Sequence, residues 1–210
     1  CLERLAAVPP ENAQQAVDVA WGRRTLAQQT ASSGTYTDFL AALGMLEEAA
    51  GGANALEGAD LALWLQLCAR RPEAESRAKA VTRLNQIRNQ RDLTSEETAV
   101  LAYIHHTEGK WQEAQDLMID LLAKNPNNTS YMTTYINWLL ERKDFSDAAA
   151  WIRKLDPNSV DAVRFACILL TQQGKAQDAR NRLKSFVPKR IDEVTAAQIM
   201  EELGSYDKRF

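Results

Sequence analysis

The stretch AYIHHTEGKWQEA, residues 102–114, decides how the rest of the chain is read. Its two adjacent histidines suggest a metal or catalytic site, but neighbouring residues on a helix point about 100° apart. His105 and His106 therefore cannot converge on one ion as an i, i+4 pair can. The surrounding residues carry more information. Leu101, Ala102 and His105 fall on one helical face, Gly109 supplies a conformation that ends the helix, and Trp111 opens a second. Ala114 lets two helices approach closely, and Asn125-Pro126 stops the second one.

This frame recurs. The small residue of the second helix is Ala80, Ala114, Ala148 and Ala179, at intervals of 34, 34 and 31, and the matching slot of the first helix is Cys68, Ala102, Ile136 and Cys167 at the same intervals. Two independent slots in one register define a repeat. The turns between them are Gly109 with Trp111, Lys143 with Phe145, and Gly174 with Ala176.

Composition agrees with a folded helical chain. Of 210 residues 45% are hydrophobic and 25% charged, with nine glycines and six prolines. Strand-like alternation is scarce, whereas windows 97–107, 112–124 and 132–142 place apolar residues three and four apart. A formal charge of -3 lacks the basic excess that draws a nucleic-acid backbone or an anionic membrane. No apolar run reaches the roughly 20 residues that span a bilayer, so a soluble chain is expected, with no membrane insertion. Cys1, Cys68 and Cys167 lie far apart without a CxxC pair. They predict neither zinc nor disulfides and lean toward a reducing, cytoplasmic compartment without fixing it.

On these residues the chain resembles the tetratricopeptide repeat (TPR) family, whose 34-residue units are helix-turn-helix hairpins. The fold this implies is all-α, a right-handed superhelical array of hairpins (a TPR-like α-solenoid). The expected units are 61–94, 95–128, 129–159 and 160–190. A divergent N-terminal hairpin over 1–52 precedes them, with a partial helix at 1–8 and no crossing alanine, Phe39 standing near that place. Residues 51–58, GGANALEG, read as a flexible joint, with a linker over 53–60. Residues 191–210 read as a partial repeat or capping helix, and half-repeats at both ends imply a piece of a longer chain.

Other features have plain structural readings. The glycines of 51–58 lack the Gly-Lys-Ser/Thr of a phosphate loop. Cys68 and Cys167 act as compact apolar groups, and Thr129 or Ser130 of the NNTS sequon caps the next helix. Trp64, Trp111, Phe145 and Trp151 pack between hairpins. No catalytic constellation, cofactor motif or metal ligand set is expected, and the chain reads as non-catalytic.

In the family resembled, first helices line a concave groove that holds a peptide or a partner helix. Carried over by position, that groove comprises Ala62, Leu65 and Ala69; Glu96, Ala99, Tyr103 and His106; Thr133 and Asn137; and Asp161, Arg164 and Ile168. The expected partner-binding residues are Tyr103, His106, Thr133, Asn137, Arg164 and Ile168. Only Asn137 and Arg164 resemble any part of the clamp that grips chaperone tails. The function expected is a protein-interaction scaffold for a protein or peptide partner. The alternative is a regulatory or substrate-recruiting domain of a larger enzyme whose catalytic part lies elsewhere. An RNA-binding repeat fits the acidic balance poorly.

Overall fold

The computed structural model describes residues 12–190 and 193–206. Among these residues all regular structure is helical. Eleven helices follow in chain order: α1 (Ala13–Ala31), α2 (Tyr36–Ala50), α3 (Gly58–Arg70), α4 (Ala74–Arg88), α5 (Ser95–Thr107), α6 (Trp111–Lys124), α7 (Thr129–Glu141), α8 (Phe145–Ile152), α9 (Val160–Gln172), α10 (Ala176–Arg190) and α11 (Glu193–Tyr206). The expected partial helix at 1–8 lies outside the described residues. The chain divides into two compact units, residues 1–117 and 118–210, the division falling inside α6.

The spaced small residues occupy the most enclosed positions. Cys68, Ala102, Ile136 and Cys167 are each 0% exposed, and so are Ala80, Ala114, Ala148 and Ala179. After Ala80, Ala114 and Ala148 the residues four and seven places further on are buried as well: Leu84 and Ile87, Met118 and Leu121, Ile152 and Leu155; after Ala179 only the first, Leu183, is buried, and Phe186 is half-buried. Burying each such side chain contributes about 1.5–3 kcal/mol. Helix α8 ends at Ile152, yet Leu155 still fills the third position from the following turn.

Three turns share one geometry. Gly109, Lys143 and Gly174 take φ of 75°, 61° and 79°, and the next residue's N–H reaches back five places. Lys110 donates to the His105 carbonyl at 2.9 Å, Asp144 to Leu139 at 2.9 Å and Lys175 to Leu170 at 2.8 Å. This is the bonding that closes a helix on a left-handed residue. The α3–α4 turn differs because Arg71 precedes Pro72 and is extended, φ -74° and ψ 142°.

The N-terminal hairpin follows the frame more closely than its sequence suggests. Ala27, Gly34 and Phe39 stand at the spacing of Ala102, Gly109 and Ala114; Ala27 is 0% and Phe39 2% exposed, and Gly34 has φ 81°. The small residue on α1 makes room for the large one on α2. Arg71 ties this hairpin's turn to the next: it donates to Glu73 at 2.8 and 2.7 Å and to the Gly34 carbonyl at 3.3 Å, and stacks on Phe39.

Two expectations change. Residues 51–58 are not a loose joint, because Gly51 caps α2, a 3-10 turn spans Ala53–Ala55, and Leu56 is 0% exposed; α3 already begins at Gly58, inside the linker expected at 53–60. The cap of α7 is Asn128, whose side chain accepts from the Tyr131 N–H at 3.1 Å, rather than Thr129 or Ser130. Helix α10 runs to Arg190, past Pro188, whose missing N–H removes a bond of the last turn without ending the helix.

Candidate functional site

In the first unit, α3 and α5 flank a cavity of about 320 Å³. Ala62, Leu65 and Glu96 are among its lining residues. Its end is closed by a fixed charge pair. Arg91 donates twice to Glu97, at 2.8 and 2.7 Å, and the Thr94 N–H donates to the same carboxylate at 2.9 Å. Thr94 in return accepts from the Glu97 N–H at 3.2 Å, completing a capping box that starts α5. The Arg91 guanidinium holds the Glu97 carboxyl below its usual range. Glu97 is therefore a neutralised wall, whereas Glu96 points outward and is exposed.

Further along α5, Tyr103 is exposed at 38% and His106 is half-buried, its ring edge-on to Trp111 at 6.2 Å. His105 turns the other way. Its Nδ1 is buried without a hydrogen-bond partner, and burial, with Lys110 nearby, pushes its pKa below the ordinary value. Both histidines are half-buried, His105 with its Nδ1 enclosed and His106 beside Trp111.

In the second unit, the four expected contacts fare differently. Thr133 is half-buried and its hydroxyl donates to the Ser130 carbonyl at 3.0 Å. Asn137 lines a cavity of about 530 Å³. Arg164 is spent inside the chain: its Nε and a terminal nitrogen donate to Glu202 of α11 at 2.6 and 2.7 Å. Ile168 is 1% exposed and contributes to the core of this unit rather than to a surface. Glu202 was not among the expected residues, and no local pattern points to it, since it lies 38 residues from Arg164.

Both buried thiols are chemically quiet. Burial pushes Cys68 up to about 12 and Cys167 to about 11, and the Cys167 thiol lies 3.4 Å from the Ala179 carbonyl. A thiolate is therefore scarce at either site. Among the described residues no three His, Cys, Asp or Glu side chains gather as a metal site. Nor is any described helix long and apolar enough to cross a membrane.

No family model matches the chain, and neither a curated protein nor a solved structure matches it.

Proposed function

We propose that this chain is a protein-interaction scaffold built of TPR-type hairpins, taking peptide or helical segments of a partner on the faces of its first helices. What supports the reading is the shared frame: small buried residues 12 positions apart within each hairpin, at Cys68 and Ala80, Ala102 and Ala114, Ile136 and Ala148, Cys167 and Ala179. Such hairpins bury their cores against one another and leave one face for ligands. In the first unit that face carries Tyr103 and His106, and the same unit holds the cavity lined by Ala62, Leu65 and Glu96. In the second it carries Asn137 and Thr133. Arg164 and Ile168 are left out of the contact set because Glu202 and the core occupy them.

A peptide library displayed on phage and panned on the chain tests the assignment. Recovered peptides are expected to lose at least tenfold in affinity for Tyr103→Ala or Asn137→Ala, at unchanged helix content by circular dichroism. Peptides that bind wild type and both variants alike would remove the assignment.

A further inference from the structure

The second unit's cavity, about 530 Å³, is lined by Asn137, Glu141, Lys143, Gln172 and Tyr206, with Phe145 supplying apolar surface. Two observations set it apart. The Gln172 Oε1 is enclosed and accepts from no donor among the described residues, so this wall is incompletely satisfied within the chain. Lys143 is the one non-glycine described with positive φ, 61°. Its counterparts in the same turn are Gly109 and Gly174, and a side chain is disfavoured in that conformation. A lysine therefore stands where glycine makes the same turn at lower cost, and its side chain borders the cavity. Lys143 enters no ion pair among the described residues.

We propose that this cavity binds an acidic peptide segment. The Asn137 amide donates to a peptide carbonyl, and an Asp or Glu carboxylate meets the Lys143 ammonium. Phe145 packs against the peptide's aliphatic stem. Glu141 on the same wall limits the segment to one carboxylate, because a second would face a like charge. This rests on the peptide-binding reading above and shares Asn137 with it, while Lys143, which decides the preference for an acid, is untouched by the phage experiment.

The test follows the side-chain amide signals of Asn137 and Gln172 by nitrogen-15 NMR on the full chain. Three probes are titrated: acetyl-Ala-Asp-Ala-amide, acetyl-Ala-Asn-Ala-amide and sodium acetate. The Asp peptide is expected to give saturable shifts at least tenfold more tightly than either of the others. Lys143→Gly should abolish the preference for Asp over Asn while raising the unit's melting temperature by about 2–4 °C, since it relieves a disfavoured backbone. Lys143→Asn, which tolerates the same conformation, serves if the glycine variant folds poorly. Equal binding of the Asp and Asn peptides, reproduction of the shifts by acetate alone, an unchanged preference in the Lys143 variants, or no saturable shift would each overturn the proposal. Loss of the Tyr103 effect on phage peptides, with the Asp preference retained, would remove the first-unit face and leave this site standing.

Discussion

Gly109 and Lys143 hold the same backbone conformation with different side chains, which makes the conformational cost measurable. A Cβ placed on Gly109 meets nothing within 4 Å, so Gly109→Ala adds backbone strain and no clash. It should destabilise the first unit by about 1–2 kcal/mol in urea denaturation. His105 provides a pH readout of the same hairpin. Its folded pKa lies below the ordinary 6.5, so the unfolded chain takes up the proton more readily. The contribution is fully present above the unfolded pKa of about 6.5 and is lost as the pH falls from there through the folded value. His105→Gln should flatten that part of a stability–pH curve, and an unchanged slope between pH 7 and 5 would count against the burial. Individual roles were readable where spacing alone decides them, as for Ala80, Ala114 and Ala148. They were not readable for Arg164, whose partner lies 38 residues later, nor for Ile168, which is enclosed in the core of its unit.

Each repeat's second helix carries one fully enclosed alanine, and that position tolerates little extra volume. Ala114→Leu adds three carbons at a 0% exposed position and should cost about 1–3 kcal/mol by thermal or urea unfolding; an equal or higher melting temperature would contradict the close crossing. The start of α5 depends on Glu97, which accepts from both Arg91 and Thr94. Glu97→Gln should destabilise by roughly 1–3 kcal/mol, because charge-assisted bonds become neutral ones and Arg91 loses its partner. Its acid dependence has the opposite cause to that of His105. A carboxyl whose folded pKa is depressed contributes stability above its unfolded pKa, about 4.3, and loses it as the pH falls through the folded value. The glutamine variant should show a shallower acid limb below about pH 4.5. Helix limits came from the sequence where Gly or Asn-Pro ends a periodic run, as at Gly109 and Asn125-Pro126. They failed at 51–58, where composition hid one buried leucine.

The two units can be followed separately because each contains one enclosed thiol, Cys68 in residues 1–117 and Cys167 in residues 118–210. With both thiols pushed to about 12 and about 11, alkylation at pH 8 should proceed only through opening of the surrounding helices. Mass spectrometry of peptides labelled over a urea series is expected to place each cysteine's modification at the transition of its own unit; rapid labelling of either in the absence of urea would refute its enclosure. The all-helical class was readable from composition and periodicity. That the first hairpin keeps the same spacing was not, since Phe39 stands where the other second helices carry alanine.

The constant spacing within hairpins has a consequence for how such a chain can change over time. Between the paired slots the interval is 12 in every hairpin, Ala27 to Phe39 included, whereas from one hairpin to the next it runs 29, 22, 22 and 19. One residue gained or lost inside a hairpin would swing a helix by about 100° and turn its crossing residue away from its neighbour, while a change beyond the third buried position meets no such penalty. Insertions and deletions among descendants of this sequence should therefore gather at the joints after Leu46, Ile87, Leu121 and Leu155, and duplication should copy hairpins whole.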